Sequence, residues 1–375
     1  MIAQPSLWLI LVAFVCMIGP LVFFHELGHY LVARWLGIPA EVFSIGFGHE
    51  ILGWTDRRGT RWKVGWLPLG GYVKFVGDMS PASNPADVDD IPPEDRSKAF
   101  QLRPVWQRFL VVLAGPVANF LLAILIFAAF FALVGAPRSN IVGQVQPSSA
   151  AAAAGVQPGD RIVSVAGRRT PTFDDIRSVV MLRPGETVPI SIERANRVRT
   201  LKVTLKADQT SDPFGKPLRR GLLGVVPTTA VLEPLPVTDA VATAVQYTAR
   251  TTVSIVDGLG QIITGQISPK AIGGPITIAQ VAGQGAELGL LPFVGLLALL
   301  SINLGFINLL PVPMLDGGHL FFYAVEAVRR RPVSAQALDW AFRGGLAVIL
   351  TLMVFTTIND LGSIGLWDRL QRLIG

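Results

Sequence analysis

Two histidines and a glutamate stand close together near the start of the chain, in the stretch LVFFHELGHYLVARWLG. His25 and His29 are four positions apart, and on an α-helix residues at that spacing lie on one face. Two imidazoles on one face can bind one zinc ion, and Glu26 is placed to take a proton from a water that the ion activates. The alternative is two separately hydrogen-bonded core histidines. It is costly here, because the flanking residues are apolar enough for lipid, where ionisable groups are expensive.

A catalytic zinc site needs a third protein ligand and leaves its fourth position to water. The next acid, Glu41, falls in a segment with strand character and is a poor candidate. Asp316 is a better one, because it is an acid within the apolar segment LLPVPMLDGGH and therefore needs a partner there. Gly317 and Gly318 would let another backbone approach closely. His319 is a rival ligand that spacing alone does not exclude, although a packed helix histidine is its simpler interpretation.

Residues around these candidates could hold an extended substrate. Pro311 and Pro313 are expected to keep the chain extended, so that a substrate could pair with it by strand addition, and the hairpins at 62–76 could offer a second edge. Two amides, Asn119 and Asn308, either hold the substrate backbone and the oxyanion or bond helices to one another, and the sequence leaves both open. The residues assigned to substrate binding are Asn308, Pro311, Pro313, Asn119, Gly70 and Gly71.

The composition indicates the elements that must position these residues. Hydrophobic residues make up 51% of the 375 and charged residues only 15%, against about a quarter in an average soluble domain. The run Leu7–Phe24 contains no charge and is long enough to predict a membrane span. Further long apolar runs are Phe109–Val134, Leu290–Leu310 and Leu346–Ile358, and the fourth span is expected over about 341–361. A signal peptide is a poor interpretation of the first run, because no basic region precedes it and it is too long. The sequence therefore predicts a polytopic α-helical membrane protein with four transmembrane helices.

The net charge of +6 and a pI near 9.8 could suggest nucleic-acid binding, but no nucleic-acid motif is present. The basic residues instead cluster after the first span and between the last two, at Arg34, Arg57, Arg58, Arg61, Lys63, Arg329, Arg330 and Arg331. By the positive-inside rule both clusters are cytoplasmic, and the N-terminus and the long insert between the second and third spans lie outside. Cys16 is the single cysteine, so a disulfide within the chain is excluded.

Two regions of the chain have strand character. Residues 40–77 are rich in Gly, aromatic and β-branched residues, with turn signals at Asp56–Gly59 and Gly70–Gly71, which predicts β-hairpins associated with the membrane. In the insert, apolar residues alternate in TVPISIER and RTLKVTLK, after a helical stretch at Phe173–Met181, which predicts a small α+β domain. A further segment, 236–265, could form an amphipathic helix on the membrane.

The predicted domains follow from these patterns. They are a first transmembrane helix (1–36), a membrane-associated β region and cytoplasmic loop (37–104), a second transmembrane helix (105–137), the inserted domain (138–208), a linker and amphipathic segment (209–289), a third transmembrane helix (290–328), a fourth (337–361) and a C-terminal tail (362–375).

With these motifs the chain resembles the site-2 proteases, which are intramembrane zinc metalloproteases. The resemblance is carried by HELGH at 25–29 and NLLPVPMLDG at 308–317, with GPVAN at 115–119 and GGYVKF at 70–75 in support. It implies that His25, His29 and Asp316 bind Zn²⁺ and that Glu26 is the catalytic base. The order of elements resembles the bacterial RseP-like branch, in which a PDZ insert is periplasmic. AAAAGVQPGDRIVSVAGR looks like its PDZ signature and occurs once here.

The resemblance also implies a function in the cell inner membrane, with the active site towards the cytoplasmic side. Such enzymes cut single-span membrane proteins, typically anti-sigma factors after a first cut by another protease, and also remnant signal peptides. The PDZ domain would bind a peptide or a periplasmic substrate segment, or act as a size filter, in which case deleting 139–208 would permit cleavage of intact substrates. One alternative is a non-enzymatic membrane scaffold with a PDZ domain. A metal transporter is another, although the chain shows no internal repeat.

Overall fold

The computed structural model describes residues 5–77, 96–137, 140–211, 217–228, 232–269 and 272–363. The chain divides into two compact units, Met1–Ile126 with Pro275–Phe355 and Phe127–Gly274 with Thr356–Gly375. The helices among the described residues are α1 (Leu7–Trp35), α2 (Val105–Leu133), α3 (Ala150–Ala153), α4 (Phe173–Met181), α5 (Val237–Ile263), α6 (Pro275–Glu287), α7 (Leu290–Leu309), α8 (Asp316–Arg329) and α9 (Ala335–Ser363).

Within the described residues, four helices are long and apolar enough to cross a membrane. They are α1, α2, α7 and the part of α9 from Gln336 to Gly362. The prediction of four apolar spans is therefore confirmed. The third span is shorter than the sequence indicates, because the prolines 311 and 313 end α7 at Leu309 and α8 begins as a separate helix.

The spans of the first unit pack through small residues. A methyl group added at Gly28 of α1 would overlap the main-chain oxygen of Ala114 in α2. In the same way, α7 approaches α2 at Gly305, where a Cβ would lie 3.0 Å from the main-chain oxygen of Pro116. Close approach at small residues is how helices associate where water supplies no driving force. These contacts bring the first two helices together at the depth of the two histidines.

The strands among the described residues are β1 (Ala40–Thr55), β2 (Arg61–Phe75), β3 (Ala136–Pro137), β4 (Val142–Val145), β5 (Arg161–Val165), β6 (Arg168–Arg169), β7 (Thr187–Arg194), β8 (Arg197–Thr204), β9 (Lys206–Ser211), β10 (Pro217–Leu222), β11 (Val225–Pro227) and β12 (Leu232–Glu233). β1 and β2 come directly after α1 in the chain and pair with each other as one long, bent antiparallel ribbon. Phe43, in the first half of β1, has partners in both halves of β2, Trp62 and Val73, and is fully buried.

The ribbon turns at Asp56, whose carboxylate accepts hydrogen bonds from the main-chain N–H groups of Arg58 (2.8 Å) and Thr60 (3.0 Å). Its other oxygen accepts from Tyr30 on α1 (3.2 Å) and from the Trp62 indole (3.1 Å). The predicted turn at Asp56–Gly59 is thus present.

The second predicted turn, at Gly70–Gly71, is wrong. Both glycines lie inside β2, where Gly70 has a φ of +120° and its position is packed against the Phe47 ring. A strand irregularity needs the same conformational freedom as a turn, so the glycine pair alone does not distinguish the two. A loop was predicted over 78–104, and residues 78–95 of it lie outside the described residues. In the remainder, Phe100 begins a short 3₁₀-helix and its side chain is buried.

The second unit contains a small domain with its own core. Its sheet has the strand order β6-β5-β7-β8, and α4 packs over it through Ile176, Val179 and Val180. The structure corrects the interpretation of 209–235 as a linker. β10 pairs with β9, β11 pairs with β4, and Leu223 between them is buried in the core, so the domain continues past 208. The segment expected to be amphipathic is the helix α5.

Candidate metal centre

Three side chains from two distant parts of the sequence meet in the first unit. His25 Nε2 lies 3.1 Å from Asp316 Oδ2, His29 Nε2 lies 3.6 Å from the same oxygen, and the two Nε2 atoms are 3.3 Å apart. Among the described residues these three form a group whose ligand atoms all lie within 4.8 Å of one another. The structure therefore brings together the three residues to which the sequence assigned the metal.

The histidines are positioned by α1, on which they lie one turn apart and face inward, with exposed fractions of 9% and 8%. His29 is fixed further by α2, because its Nδ1 lies 2.8 Å from the main-chain oxygen of Val111. A carbonyl can only accept, so Nδ1 carries a proton, and in the neutral ring the lone pair of Nε2 then faces Asp316. This is the tautomer that a metal ligand requires.

Gly115 makes this approach of α2 possible. A methyl group there would overlap His29 Nε2 and would lie 2.9 Å from His25 Cε1. The GPVAN motif contains this glycine, but no sequence pattern assigns the glycine to the site. Its role depends on a contact between α1 and α2, which lie far apart in the chain.

Asp316 is the first residue of α8, directly after a compact turn. Within that turn the N–H of Val312 donates to Leu310 O (2.7 Å) and the N–H of Leu315 donates to Val312 O (3.1 Å), and Met314 has a φ of +80°. The glycines after Asp316 give room for this backbone, since a Cβ on Gly318 would lie 2.5 Å from Val312 O. The turn thus determines where the carboxylate points.

The same turn corrects the expectation of an extended segment over 308–313. Asn308 lies within α7, and the prolines 311 and 313 occupy a turn whose N–H groups are either missing or bonded internally. Such a segment has no row of free backbone groups with which a substrate strand could pair. Pro313 instead packs on α9, where a Cβ on Gly345 would lie 2.7 Å from its Cβ.

Glu26 lies beside the three clustered side chains and lines the same cavity. Its carboxyl group lies near the main-chain N–H of Val73 in β2. β2 comes this close because of Gly71, where a Cβ would lie 2.6 Å from Val22 Cγ1 and 3.2 Å from Glu26 Cγ. The pair Gly70-Gly71 is thus next to the site, as part of a strand.

The cavity has a volume of about 610 Å³ and is lined by residues of α1, α2, β1, β2, α7, α8 and α9. Asn308 and His319 are both part of its wall. His319 is outside the group of three ligand atoms, and its ring packs against Phe342 and Tyr323, with centroid distances of 5.0 and 6.3 Å. His319 therefore lies in the wall of the cavity, packed against these two aromatic rings.

The other amide, Asn119, is completely buried, and its Nδ2 lies 2.9 Å from His25 Nδ1. Its main-chain oxygen accepts a hydrogen bond from Ser301 of α7 (2.7 Å). The side chain therefore contacts a proposed ligand, and the main chain joins two helices.

The residues at this site fit a zinc ion. Two imidazoles and one carboxylate form a donor set used by catalytic zinc, which leaves a position open. The buried Oδ2 of Asp316 has no hydrogen bond of good geometry, and three electron-pair donors crowd around one point. Crowded buried donors of this kind are costly without a cation between them.

Comparison with known proteins identifies the family. The model of peptidase family M50 matches residues 13–352. A protein of Agrobacterium fabrum named "Putative zinc metalloprotease" is 44% identical over 362 residues, which cover 94% of this chain and 96% of that protein. The metalloprotease MmpA of Caulobacter vibrioides is 38% identical over 394 residues, which cover 94% and 95%. The chain therefore belongs to peptidase family M50.

Proposed function

We propose that this protein is a zinc metalloendopeptidase of the site-2 type, which cuts membrane proteins within or near the bilayer. The observation that carries the proposal is the convergence of His25, His29 and Asp316 in one cavity, with Glu26 beside them, on helices apolar enough to span a membrane. The names of the relatives from Agrobacterium and Caulobacter support the same activity.

In this proposal the three ligand residues hold the ion, and Glu26 moves the proton. A Zn²⁺ ion bound there supplies a Lewis acid that activates a water and polarises the peptide carbonyl. Glu26 takes the proton of the attacking water and delivers it to the leaving amine. The wall of the cavity is mostly apolar, and electrostatic interactions are stronger in such surroundings than in bulk water.

The substrate is proposed to bind in an extended form along β2. The cavity beside Glu26 is lined by five residues of β2, Gly70, Gly71, Tyr72, Val73 and Phe75. β1 pairs with this part of β2, with Ile45 opposite Gly71. A substrate strand would add to β2 next to the site and present a peptide carbonyl to the ion. Asn308, in the cavity wall, is proposed to hold the substrate backbone or the oxyanion.

The proposed substrates are single-span membrane proteins, of the anti-sigma factor type after a first cut, and remnant signal peptides. This follows from the resemblance to site-2 proteases and from the apolar helices that surround the site. In the proposed topology the protein is in the inner membrane, the active site lies towards the cytoplasm and the insert is periplasmic.

The inserted domain is proposed to be a PDZ domain that filters substrates by size. Because Leu223 and Val225 belong to its packed core, a deletion should remove residues 140–228 rather than end at 208. The proposal predicts that this deletion permits cleavage of a substrate with an intact outer domain. Unchanged rejection of that substrate, with cleavage of a truncated one preserved, would contradict the filter.

The activity itself is tested with a tagged single-span reporter in liposomes, with the cut located by mass spectrometry. We expect His29→Ala and Asp316→Asn to lose zinc and cleavage together. His49→Ala removes an exposed histidine outside the cluster and serves as the matched control, for which both are retained. A scaffold without enzymatic activity would bind the reporter and leave it uncut in every variant.

A further inference from the structure

The two proposed histidine ligands are each contacted from α2 at the ring nitrogen that faces away from Asp316. For His29 the contact is the main-chain oxygen of Val111, and for His25 it is the side-chain amide of Asn119. A main-chain oxygen always accepts, whereas an amide offers either an acceptor or a donor. The tautomer of His25 therefore depends on which end of the amide faces it.

Only one end of the Asn119 amide has a hydrogen-bond partner among the described residues. Its Nδ2 faces His25 Nδ1, while its Oδ1 is buried without a hydrogen-bond partner. The oxygen and nitrogen of an amide are nearly identical in shape and are assigned from the hydrogen bonds around them. Turning the amide by 180° gives the oxygen a partner, the Nδ1–H of His25, and moves the NH₂ group to the position at which the oxygen finds no donor.

The turned amide is also the one that metal binding requires. His25 Nε2 points at Asp316 Oδ2, and to donate its lone pair to a cation it must carry no proton. The proton of the neutral ring is then on Nδ1, where it needs an acceptor. Asn119 Oδ1 is within reach of that proton, in the same way that Val111 O accepts from His29.

We propose that Asn119 is a positioning residue of the metal centre, whose Oδ1 accepts the Nδ1–H of His25 and fixes this ring with Nε2 towards the metal. This inference rests on the proposed function, because it requires a cation between the three ligands. It assigns to Asn119 neither the oxyanion nor the substrate, since the amide lies across the imidazole ring from Asp316. The bond from Ser301 to the Asn119 main chain is a separate helix–helix contact.

The test compares zinc affinity, by chelator competition, in the purified full chain and three variants. Asn119→Leu removes the acceptor, and we expect zinc affinity to fall about 10- to 100-fold, as for other residues that orient metal ligands. Asn119→Asp keeps an acceptor in the same place and should restore affinity to within a few-fold of the wild type. Ser301→Ala removes the helix–helix bond and leaves the imidazole contact, so it should retain wild-type affinity. The melting temperature of each metal-free variant reports its folding.

The outcomes separate this inference from the proposed function. If the wild type binds no zinc, the proposed function fails and the inference fails with it. If the wild type binds zinc and Asn119→Leu binds it equally tightly, Asn119 serves packing alone and only the inference is overturned. Loss of affinity in folded Asn119→Asp as large as in Asn119→Leu would show that the amide N–H is needed, which also overturns it.

A second measurement needs no variant and covers the case in which Asn119→Asp does not fold. In the ¹⁵N-histidine spectrum of the protein loaded with ¹¹³Cd, His25 should bind the metal through Nε2 and carry a proton on Nδ1. Coordination of the metal through Nδ1 of His25 would overturn the inference.

Discussion

Gly115 and His29 are in such close contact that a methyl group on the glycine would lie only 2.2 Å from the imidazole Nε2. The contact lets α2 reach His29 Nδ1 through the main-chain oxygen of Val111. The metal centre is thus built by the packing of two helices as well as by the motif on one of them.

The first prediction follows from this contact. Gly115→Ala should abolish zinc binding in the chelator assay, because the added Cβ displaces His29 from the other two ligands. Gly295→Ala, in the apolar helix α7, is the matched control, since a Cβ there meets nothing within 4 Å. Retention of wild-type affinity in Gly115→Ala would show that α2 does not constrain His29.

A second prediction concerns the half-buried ion pair that joins α2 to the helix of Asp316. Arg108 donates to Glu326 at 2.7 Å and lies over the Tyr323 ring at 4.8 Å. Glu326→Gln leaves the guanidinium partly buried without its counter-charge, and we expect a loss of about 3 kcal/mol in the free energy of unfolding. Denaturant unfolding in detergent measures it.

The control for that experiment is Glu193→Gln, which breaks the exposed pair of Glu193 with Arg161 in the inserted domain. Exposed pairs contribute little, so this change should cost below about 0.5 kcal/mol. Equal effects of the two substitutions would contradict the assignment of Arg108 and Glu326 as a stabilising connection to α8.

A third prediction concerns pH and the inserted domain. Burial raises the pKa of Asp160, but the hydrogen bonds from Arg194 and from the N–H of Gln157 outweigh it, so this pKa lies below its ordinary value. A carboxyl with a lowered pKa contributes stability that is complete above its unfolded pKa of about 3.9 and is lost as the pH falls through the folded value.

Arg194→Met should therefore destabilise the domain at pH 7. The difference in the domain's free energy of unfolding between the variant and the wild type should become smaller as the pH falls below about 4. Hydrogen exchange of β5 and β7 in the full chain measures this locally. Arg197→Met changes an exposed arginine of the same hairpin and should have little effect at either pH. If the loss of hydrogen-exchange protection in Arg194→Met is the same from pH 7 to pH 3, the ion pair of Asp160 with Arg194 is not the cause of the destabilisation.

Much of the site was accessible from the sequence, because ionisable residues are rare in apolar segments and each one requires a reason. That argument led from His25 and His29 to Asp316 with His319 as a rival, and the resemblance to site-2 proteases decided for Asp316. The structure places Asp316 Oδ2 within 3.6 Å of Nε2 of both histidines. The contributions of Gly115 and Val111 were not accessible. They arise from the way α2 packs on α1, and neither a glycine nor a main-chain oxygen carries a local signal of such a contact.

The fold likewise has features that the sequence predicted and features that it did not. The apolar runs identify the four spans, and alternation identifies β7 and β8. The expectations that needed correction concern glycine and proline, whose conformations are compatible with more than one local structure. Gly70 supplies a strand irregularity rather than a turn, and Pro311 and Pro313 supply a turn rather than an extended segment.

The measurement that tests the central claim most directly compares the wild type with Glu26→Gln in liposomes. Both proteins are assayed for bound zinc and for cleavage of a single-span reporter with a truncated outer domain. We predict about one zinc per chain in both, as a site of three protein ligands requires, and cleavage by the wild type alone. A wild type without zinc, or a Glu26→Gln variant that cuts as fast as the wild type, would contradict the account.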